Sequence, residues 1–395
     1  ELVPKHGPGA TVDRLRGNAK YDQFEWTTRL EEVFPYGEYA IPSWRYHNRL
    51  DRVDFREPGR ERPVKVTLVP KTLKTPRIIA IEPTCMQYMQ QALMEKIVKL
   101  LEGDKAIREL IGFTDQTPNQ RMACEGSIQG SLATLDLSEA SDRVSNQHVR
   151  LLLRHFPSLS EAVDATRSRK AEVPGHGVIR LAKFASMGSA LCFPMEAMVF
   201  LTIVFLGIQD AHGRQLSRRD IQSYAGRVRV YGDDIIVPVD TLAHVITRLT
   251  AFGLKVNGDK TFGTGKFRES CGRDYYDGTD VTPVRVRHVF PSCREDVREV
   301  ISLVSLRNRM FDAGLWEVAR VLDDRIRPLL RGRYPAIAST SPVLGRHTSL
   351  GFESERVDPH THRPQVRGYV LSYRIPRSRV SGEGALLKWF LKRGD

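Results

Sequence analysis

The sequence predicts an α+β fold built from antiparallel hairpins and packed helices. Three observations carry that expectation. Residues 226–239 read as a hairpin, with Val228 and Val230 on one arm, Ile235, Ile236 and Val237 on the other, and Tyr231-Gly232-Asp233-Asp234 between them. Gly and Asp are the residue types that tolerate a tight turn between β-branched arms. Residues 132–137 read as a further strand, with Leu132, Leu135 and Leu137 around Thr134 and Asp136. Long apolar runs at 86–101 and 197–208 read as helices. A chain of 395 residues is long enough for two or three domains or subdomains with ample core.

Taken in order, residues 1–63 are rich in Pro, Gly and charge, with Tyr21, Phe24, Trp26, Phe34, Tyr36, Tyr39, Trp44 and Tyr46 spread through them. These aromatics either form a small core or are partly exposed for stacking on bases. Residues 64–82 read as two short strands around a basic turn carrying Lys71, Lys74 and Arg77. Thr84 reads as the cap of a helix over 86–101, closed by Gly103. Further helices are expected over 146–155 and 159–169, then a hairpin over 171–184 turning at Gly175-His176-Gly177, then a long helix after Gly188. A helix over 241–252 ends at Gly253 and leads into a strand at 254–256. Beyond 265 the chain is basic and mixed, with helices expected at 294–311 and 314–331 and a Pro/Ser/Thr-rich stretch at 334–345.

Sixty Lys and Arg against 47 Asp and Glu leave a formal charge of +13, with 41% hydrophobic residues. That composition is globular rather than disordered. The charge favours a polyanionic partner, nucleic acid or an anionic membrane surface, without choosing between them. Cys85, Cys124, Cys192, Cys271 and Cys293 are scattered and never form CxxC. This argues against a disulfide framework or structural zinc site and suits a reducing compartment. The apolar run 197–208 is too short to span a bilayer and reads as a buried helix. The chain opens on Glu1 and loop-like sequence, which reads as a fragment.

Three acids point to chemistry. Asp136 ends one predicted strand, and Asp233 and Asp234 sit in a hairpin turn. If the strands are neighbours, the carboxylates converge at one sheet edge. Hard oxygen ligands suit Mg²⁺ or Mn²⁺ rather than zinc. Two such ions about 4 Å apart activate a hydroxyl and stabilise a leaving pyrophosphate. A lone Gly-Asp-Asp is more often a surface turn. Here its arms are strongly apolar, and Ser186-Met187-Gly188-Ser189 is a small-residue loop opening a buried helix, where a ligand can approach the backbone closely.

At these residues the sequence resembles the catalytic (beta) chain of the replicases of positive-strand RNA bacteriophages, the leviviruses, which are RNA-directed RNA polymerases. The segments that carry the resemblance begin with Lys5-His6-Gly7-Pro8-Gly9-Ala10, Val69-Pro70-Lys71 and Ile81-Glu82-Pro83. Asp136-Leu137-Ser138-Glu139-Ala140-Ser141-Asp142, Ser186-Met187-Gly188 and Tyr231-Gly232-Asp233-Asp234 follow. Phe267-Arg268-Glu269-Ser270-Cys271-Gly272 and Asp280-Val281-Thr282-Pro283 complete the set, in the family's order.

The resemblance implies a right-hand polymerase: fingers over 1–130, truncated at the N-terminus; palm over 131–264 with a fingers-side insertion around 145–185; and thumb with C-terminal region over 265–395. It implies Asp136, Asp233 and Asp234 as ligands of two Mg²⁺ or Mn²⁺ ions. Lys71, Lys74 and Arg77 would hold the incoming triphosphate, although a solvated basic turn has the same composition. Asp142 would lie near the ribose, and Ser186 and Gly188 would form a nucleotide-binding loop. Lys260 would be a general acid for the pyrophosphate, or an ordinary exposed lysine.

Reverse transcriptases resemble the same palm but place a bulky aromatic about five residues after the first aspartate, where this chain has Ser141. Ribonucleotide use is therefore expected. Residues 190–200 contain no Asn, so the ribose partner used on this helix by many other RNA polymerases is missing. Arg268 and Glu269 are expected either in a turn gripping the growing 3′ end or in a structural ion pair. His360 and His362 are expected at the surface rather than on a metal. Residues 386–391 are expected as a short helix packing on the thumb, with Trp389 as a possible stacking platform for initiation without a primer.

The implied partners are single-stranded RNA template and product, nucleoside triphosphates, and host translation proteins, namely elongation factors and a ribosomal protein. No membrane is implied, and the implied location is the cytoplasm of the bacterial host. The rival readings are a reverse transcriptase-like palm polymerase and a non-catalytic basic RNA-binding phage protein.

Overall fold

A computed structural model describes residues 2–70, 76–372 and 378–393. Its central sheet has four antiparallel strands in the order Lys255–Val256, Leu132–Ser138, Asp234–Pro238 and Arg229–Tyr231. Leu132 to Leu135 and Ile235 to Val237 are all buried. Burial without a gap means that both faces are covered. Leu132 and Ile236 pack with Met122 of the helix Thr117–Gln129 on one face. Ala133, Leu135, Leu137, Ile235 and Val237 join the main core on the other, with Phe200, Val204 and Ile208 of the helix Cys192–His212 and Val245 and Leu249 of the helix Leu242–Ala251. The mixed helix-and-sheet class predicted from the sequence is thus observed.

At 21 residues, Cys192–His212 is longer than its apolar run suggested. It is long and apolar enough to cross a membrane by length and composition, but 67% of its most apolar window is buried inside the chain. It is the core helix behind the sheet.

A second four-stranded sheet runs Pro76–Ile81, Val64–Pro70, Lys170–Val173, Gly177–Arg180. Val64 and Ala171 pair in parallel, and with Ala80 they make a small core. The helix Thr84–Gly103 follows. Thr84 is not its cap: Pro83 precedes it, and the Thr84 N–H donates to Asp13 Oδ2 at 2.7 Å. The acceptor comes from 71 residues upstream, so no local signal announced it.

Most N-terminal aromatics form a core. Trp26, Phe34, Tyr36 and Tyr88 are buried together; Trp26 Nε1 donates to the Phe34 carbonyl at 3.1 Å and meets Tyr36 edge-on at 5.6 Å. Trp44 is the exception, 70% exposed.

The C-terminal helix Glu383–Arg393 departs from expectation. It packs on the N-terminal turn Gly17–Asp22. Lys388 Nζ donates to Asn18 Oδ1 at 2.8 Å, and buried Arg49 donates to Glu383 at 2.6 Å. Trp389 is half-exposed beneath the Arg393 guanidinium.

By packing, the chain divides into two compact units: residues 1–68, 78–282 and 376–395, and residues 69–77 with 283–375. In the second, the helices Val297–Asp312 and Trp316–Leu329 close a core of Val300, Leu303, Val304, Leu322 and Ile326 around a buried Arg307–Asp323 pair at 2.8 Å. His360 and His362 of this unit are exposed.

Behind the Ser186 loop lies a small cavity where Glu82, Gln90, Arg167 and Ser168 meet the apolar side chains of Val64 and Phe184. Ser168 Oγ donates to Glu82 at 2.5 Å. Burial pushes the Glu82 carboxyl up to about 7, against the opposing pull of Ser168, Gln90 and Arg167. A carboxyl raised in the folded state gives stability that is complete below its unfolded pKa and is lost as pH rises through the folded one. Raising Glu82 from 4.5 to about 7 corresponds to about 3 kcal/mol lost over that window. Glu82→Gln is therefore expected to flatten the pH dependence of stability between about pH 5 and about pH 8 in urea denaturation. An unchanged slope would place the titration elsewhere.

Candidate active site

Pairing of Leu132–Ser138 with Asp234–Pro238 sets Asp136 directly opposite Asp234. Side chains alternate along strands, so both acids share the face of Thr134 and Ile236, which are themselves partners. Asp233 sits one residue earlier, exposed in the turn. That turn depends on Gly232, whose φ is +59°. A Cβ there would come within 2.5 Å of Phe193 Cε2, and Phe193 meets Tyr231 edge-on at 5.3 Å.

Both paired acids are anchored from outside the sheet. Asp136 Oδ2 accepts from Asn257 Nδ2 at 2.9 Å, and the Asn257 N–H donates to the Asp136 carbonyl at 2.9 Å. Asp234 Oδ1 accepts from the Cys271 N–H at 3.1 Å and from Ser270 Oγ at 3.4 Å. Burial pushes Asp234 up to about 6; the Cys271 N–H opposes it, while Asp233, Asp136 and Glu269 reinforce it. Lys260 Nζ lies 3.2 Å from Glu269 Oε1. Burial pulls its ammonium down, but Asp136, Glu269 and Asp234 together hold it above the usual lysine value.

Across the turn stands a second group. Asp142, on the short helix Ala140–Arg143, accepts from Lys183 Nζ at 2.5 Å. Glu196 is buried on Cys192–His212. Burial, then Asp233 and Asp142, push its carboxyl up to about 8, with the Cys192 thiol opposing. The Ser186–Ser189 loop leans on the strand Pro76–Ile81: the Ala80 N–H donates to the Met187 carbonyl at 2.8 Å. Gly188 has φ +126°, and a Cβ there would sit 1.9 Å from the Ala80 oxygen. Gln90 Oε1 secures the loop by accepting from Ser189 Oγ at 3.0 Å and the Ala190 N–H at 3.1 Å.

Of the residues expected at the site, the first unit therefore brings together Asp136, Asp233, Asp234 and Lys260, with Asp142 linked to Asp233 through Glu196. Lys71 and Lys74 lie outside the described residues. Arg77 is exposed on Pro76–Ile81 and belongs to the second unit. Among the described residues, no three His, Cys, Asp or Glu side chains are grouped so as to hold a metal ion by themselves. Hard carboxylate oxygens do fit a divalent ion, and Mg²⁺ is ordinarily held by one or two carboxylates with substrate phosphates completing its shell.

Arg268 forms no ion pair among the described residues. It is fully buried, out of reach of a strand, and its guanidinium donates to the carbonyls of Leu132 at 2.6 Å, Gly265 at 3.0 Å and Phe267 at 2.7 Å. It ties the strand Phe267–Ser270 to the first residue of Leu132–Ser138. Glu196, Lys183 and Asn257 were not singled out from the sequence. Glu196 immediately before the apolar run 197–208 was the one available signal.

The family described as RNA replicase, beta-chain, matches residues 52–328. The chain belongs to this family. It is 36% identical over 346 residues to the RNA-directed RNA polymerase beta chain of Escherichia phage MS2, covering 84% of this chain and 58% of that protein. It is 36% identical over 261 residues to the RNA-directed RNA polymerase beta chain of Enterobacteria phage fr, covering 66% of this chain and 43% of that one. The chain thus spans about half the length of these relatives. Among solved structures it is similar to the RNA-dependent RNA polymerase of a human picorbirnavirus, at 12% identity and TM-score 0.49, covering 68% of this chain and 57% of that one.

Two substitutions separate the site's supports from its chemistry. Arg268→Ala strands the buried Leu132 carbonyl, unties the part-buried Gly265 and Phe267 carbonyls and leaves a hole where the side chain was; it is expected to cost about 3 kcal/mol or more in urea denaturation, with Arg268→Lys recovering little because it lacks the planar fork. Gly188→Ala is expected to destabilise by at least about 1–3 kcal/mol or to displace the loop, seen as increased proteolysis near Met187. Wild-type stability in either variant would refute the corresponding role.

Proposed function

We propose that this chain is the catalytic part of an RNA-directed RNA polymerase that copies a single-stranded RNA phage genome. The observation that carries the reading is the register Asp136 opposite Asp234, with Asp233 in the adjoining Gly232 turn, inside the segment matched by the replicase family. On this reading the central sheet with its helices is the palm of a right hand, over about residues 131–264. Residues 1–130 correspond to fingers, and 265–395 to thumb and C-terminal region. Template and product RNA and nucleoside triphosphates are the substrates, and the +13 charge suits RNA channels. Host translation proteins remain partners by family analogy, and the host cytoplasm is the matching location.

In the proposed reaction, the 3′-hydroxyl of the growing strand attacks the α-phosphate of a nucleoside triphosphate. A phosphorus–oxygen bond forms to the strand, and the bond to pyrophosphate breaks. Asp136, Asp233 and Asp234 would hold two Mg²⁺ or Mn²⁺ ions, which when bound supply charge compensation for the nucleophile and the leaving group. Burial raises Asp234 most, and Asp233, Asp136 and Glu269 add to it; that added repulsion is what cations would relieve. Lys260, kept protonated by Asp136, Glu269 and Asp234, can deliver a proton to the departing pyrophosphate. Arg77, with Lys71 and Lys74, would neutralise triphosphate charge. Asp142, fixed by Lys183, can accept from the sugar. At position 141 a small buried Ser leaves room for the 2′-hydroxyl, which favours ribonucleotides over the deoxynucleotides of a reverse transcriptase.

The test is incorporation of ribonucleotides and deoxynucleotides on single-stranded RNA with Mg²⁺ or Mn²⁺, by this chain and by a chain extended to the length of its relatives and supplied with host lysate. Asp136→Asn and Asp233→Asn are expected to lower ribonucleotide incorporation about 10²–10³-fold or more, and chelation of divalent ions is expected to abolish it. Preference for deoxynucleotides would assign the chain to reverse transcription. Silence of the extended chain would favour a non-catalytic RNA-binding protein.

A further inference from the structure

Asp136 is the middle member of a row that crosses the central sheet. On one side it faces Asp234. On the other, Lys255 pairs with Ser138 and Val256 with Leu137. The next residue along, Asn257, reaches Asp136 at two points. Its N–H donates to the Asp136 carbonyl at 2.9 Å, and its Nδ2 donates to Asp136 Oδ2 at 2.9 Å. The mechanism above uses Asp136, Asp234 and Lys260 and gives Asn257 no part.

Asn257 also begins an arch over that row. The Lys260 N–H donates to the Asn257 carbonyl at 3.1 Å, and Thr261 Oγ1 donates to the same oxygen at 2.8 Å. The chain then returns to the central strand, where Phe262 and Thr134 exchange both backbone hydrogen bonds, at 2.8 and 3.0 Å. Thr134 precedes Asp136 by two residues and shares its face. The arch over 257–262 therefore stands with both feet on Leu132–Ser138, and Lys260 is carried between them.

The type of donor matters. An ionised carboxylate only accepts, so Asn257 must present its nitrogen. The terminal torsion of an aspartate is broad, and a hydrogen bond to one oxygen selects one orientation of the group. Among the described residues, no hydrogen bond reaches Asp136 Oδ1 and no Lys, Arg or His forms an ion pair with Asp136, whereas Asp142 is paired with Lys183. A Lys or Arg at position 257 would orient Asp136 equally well, but would also cancel the charge that a divalent cation requires of its oxygen ligands. A neutral amide sets the direction and leaves the charge in place.

We propose that Asn257 is a positioning residue, whose amide fixes the Asp136 carboxylate through Oδ2 and leaves Oδ1, with the charge intact, for a divalent cation. The assignment rests on the polymerase reading above. Because the same residue starts the arch, the acid and Lys260 are set from one point. Partners that orient a ligand commonly govern metal affinity about as strongly as a weak ligand does.

The experiment follows water-proton relaxation enhancement as Mn²⁺ is titrated, with GTP present, into this chain and into Asp136→Asn, Asn257→Ala, Asn257→Leu and Thr261→Val. Circular dichroism confirms folding. Wild type is expected to hold Mn²⁺ in a site that Asp136→Asn removes. Asn257→Ala is expected to weaken that site about tenfold or more. Asn257→Leu, which keeps the volume of the side chain and lacks its amide, is expected to match it and carries the test if the alanine variant does not fold. Thr261→Val loosens the arch without touching the amide and is expected to bind Mn²⁺ as wild type does. Wild-type affinity in both Asn257 variants would overturn the assignment, and so would tighter binding, which would make the amide a competitor of the ion. Equal weakening by Thr261→Val would shift the effect to the arch and overturn it too. A wild type with no Mn²⁺ site sensitive to Asp136→Asn would overturn the polymerase reading and the assignment with it.

Discussion

Everything at this site depends on the register between Leu132–Ser138 and Asp234–Pro238. A slip of one residue would exchange the two faces of a strand. Asp136 would then oppose a different residue, and the apolar partners Leu135 and Ile235 would lose the core. The register is enforced from both sides of the sheet. Phe200, Val204 and Ile208 fill one face, and Met122 with Leu132 and Ile236 fills the other. Arg268 adds a fixed point, since its guanidinium reaches the Leu132 carbonyl at the strand's first residue. The acids at the strand ends are thus placed by apolar packing that none of them takes part in.

The acids are arranged so that repulsion between them is not fully relieved within the protein. Asp234 receives a backbone N–H from Cys271 and Asp136 an amide from Asn257, yet burial first, and then Asp233, Asp136 and Glu269, keep Asp234 raised to about 6. Lys260 answers part of the charge from one side, where Glu269 holds it. Lys183 answers part on the other, at Asp142. Behind the Ser186 loop, Glu82 forms a separate buried polar cluster, coupled to the loop through Gln90 and Ser189.

Much of the site was legible in the sequence because its signals are local. A Gly-Asp-Asp between β-branched arms announces a hairpin, and an aspartate among alternating leucines announces a strand end. The hairpin over 171–184 and the helices Val297–Asp312 and Trp316–Leu329 were readable for the same reason. Other parts carried no local signal. The helix Thr117–Gln129 has few apolar residues, and Gly126 and Ser127 weaken its periodicity. The three-stranded sheet of Phe267–Ser270, Arg273–Tyr276 and Thr279–Asp280 is built largely from polar residues. The cap of Thr84–Gly103 comes from Asp13, and the seat of the C-terminal helix from residues 17–22.

By itself, the sequence determined the element types, the apolar faces and the presence of three acids at strand ends and a turn, because periodicity and turn chemistry are properties of neighbouring residues. Only the tertiary structure decided which carboxylates act on one another. It set Asp136 against Asp234, put Glu196 in the field of Asp233 and Asp142, and turned Arg268 inward as a strap. Electrostatic coupling depends on distance and burial. For residues separated by scores of positions, both are set by how strands and helices pack.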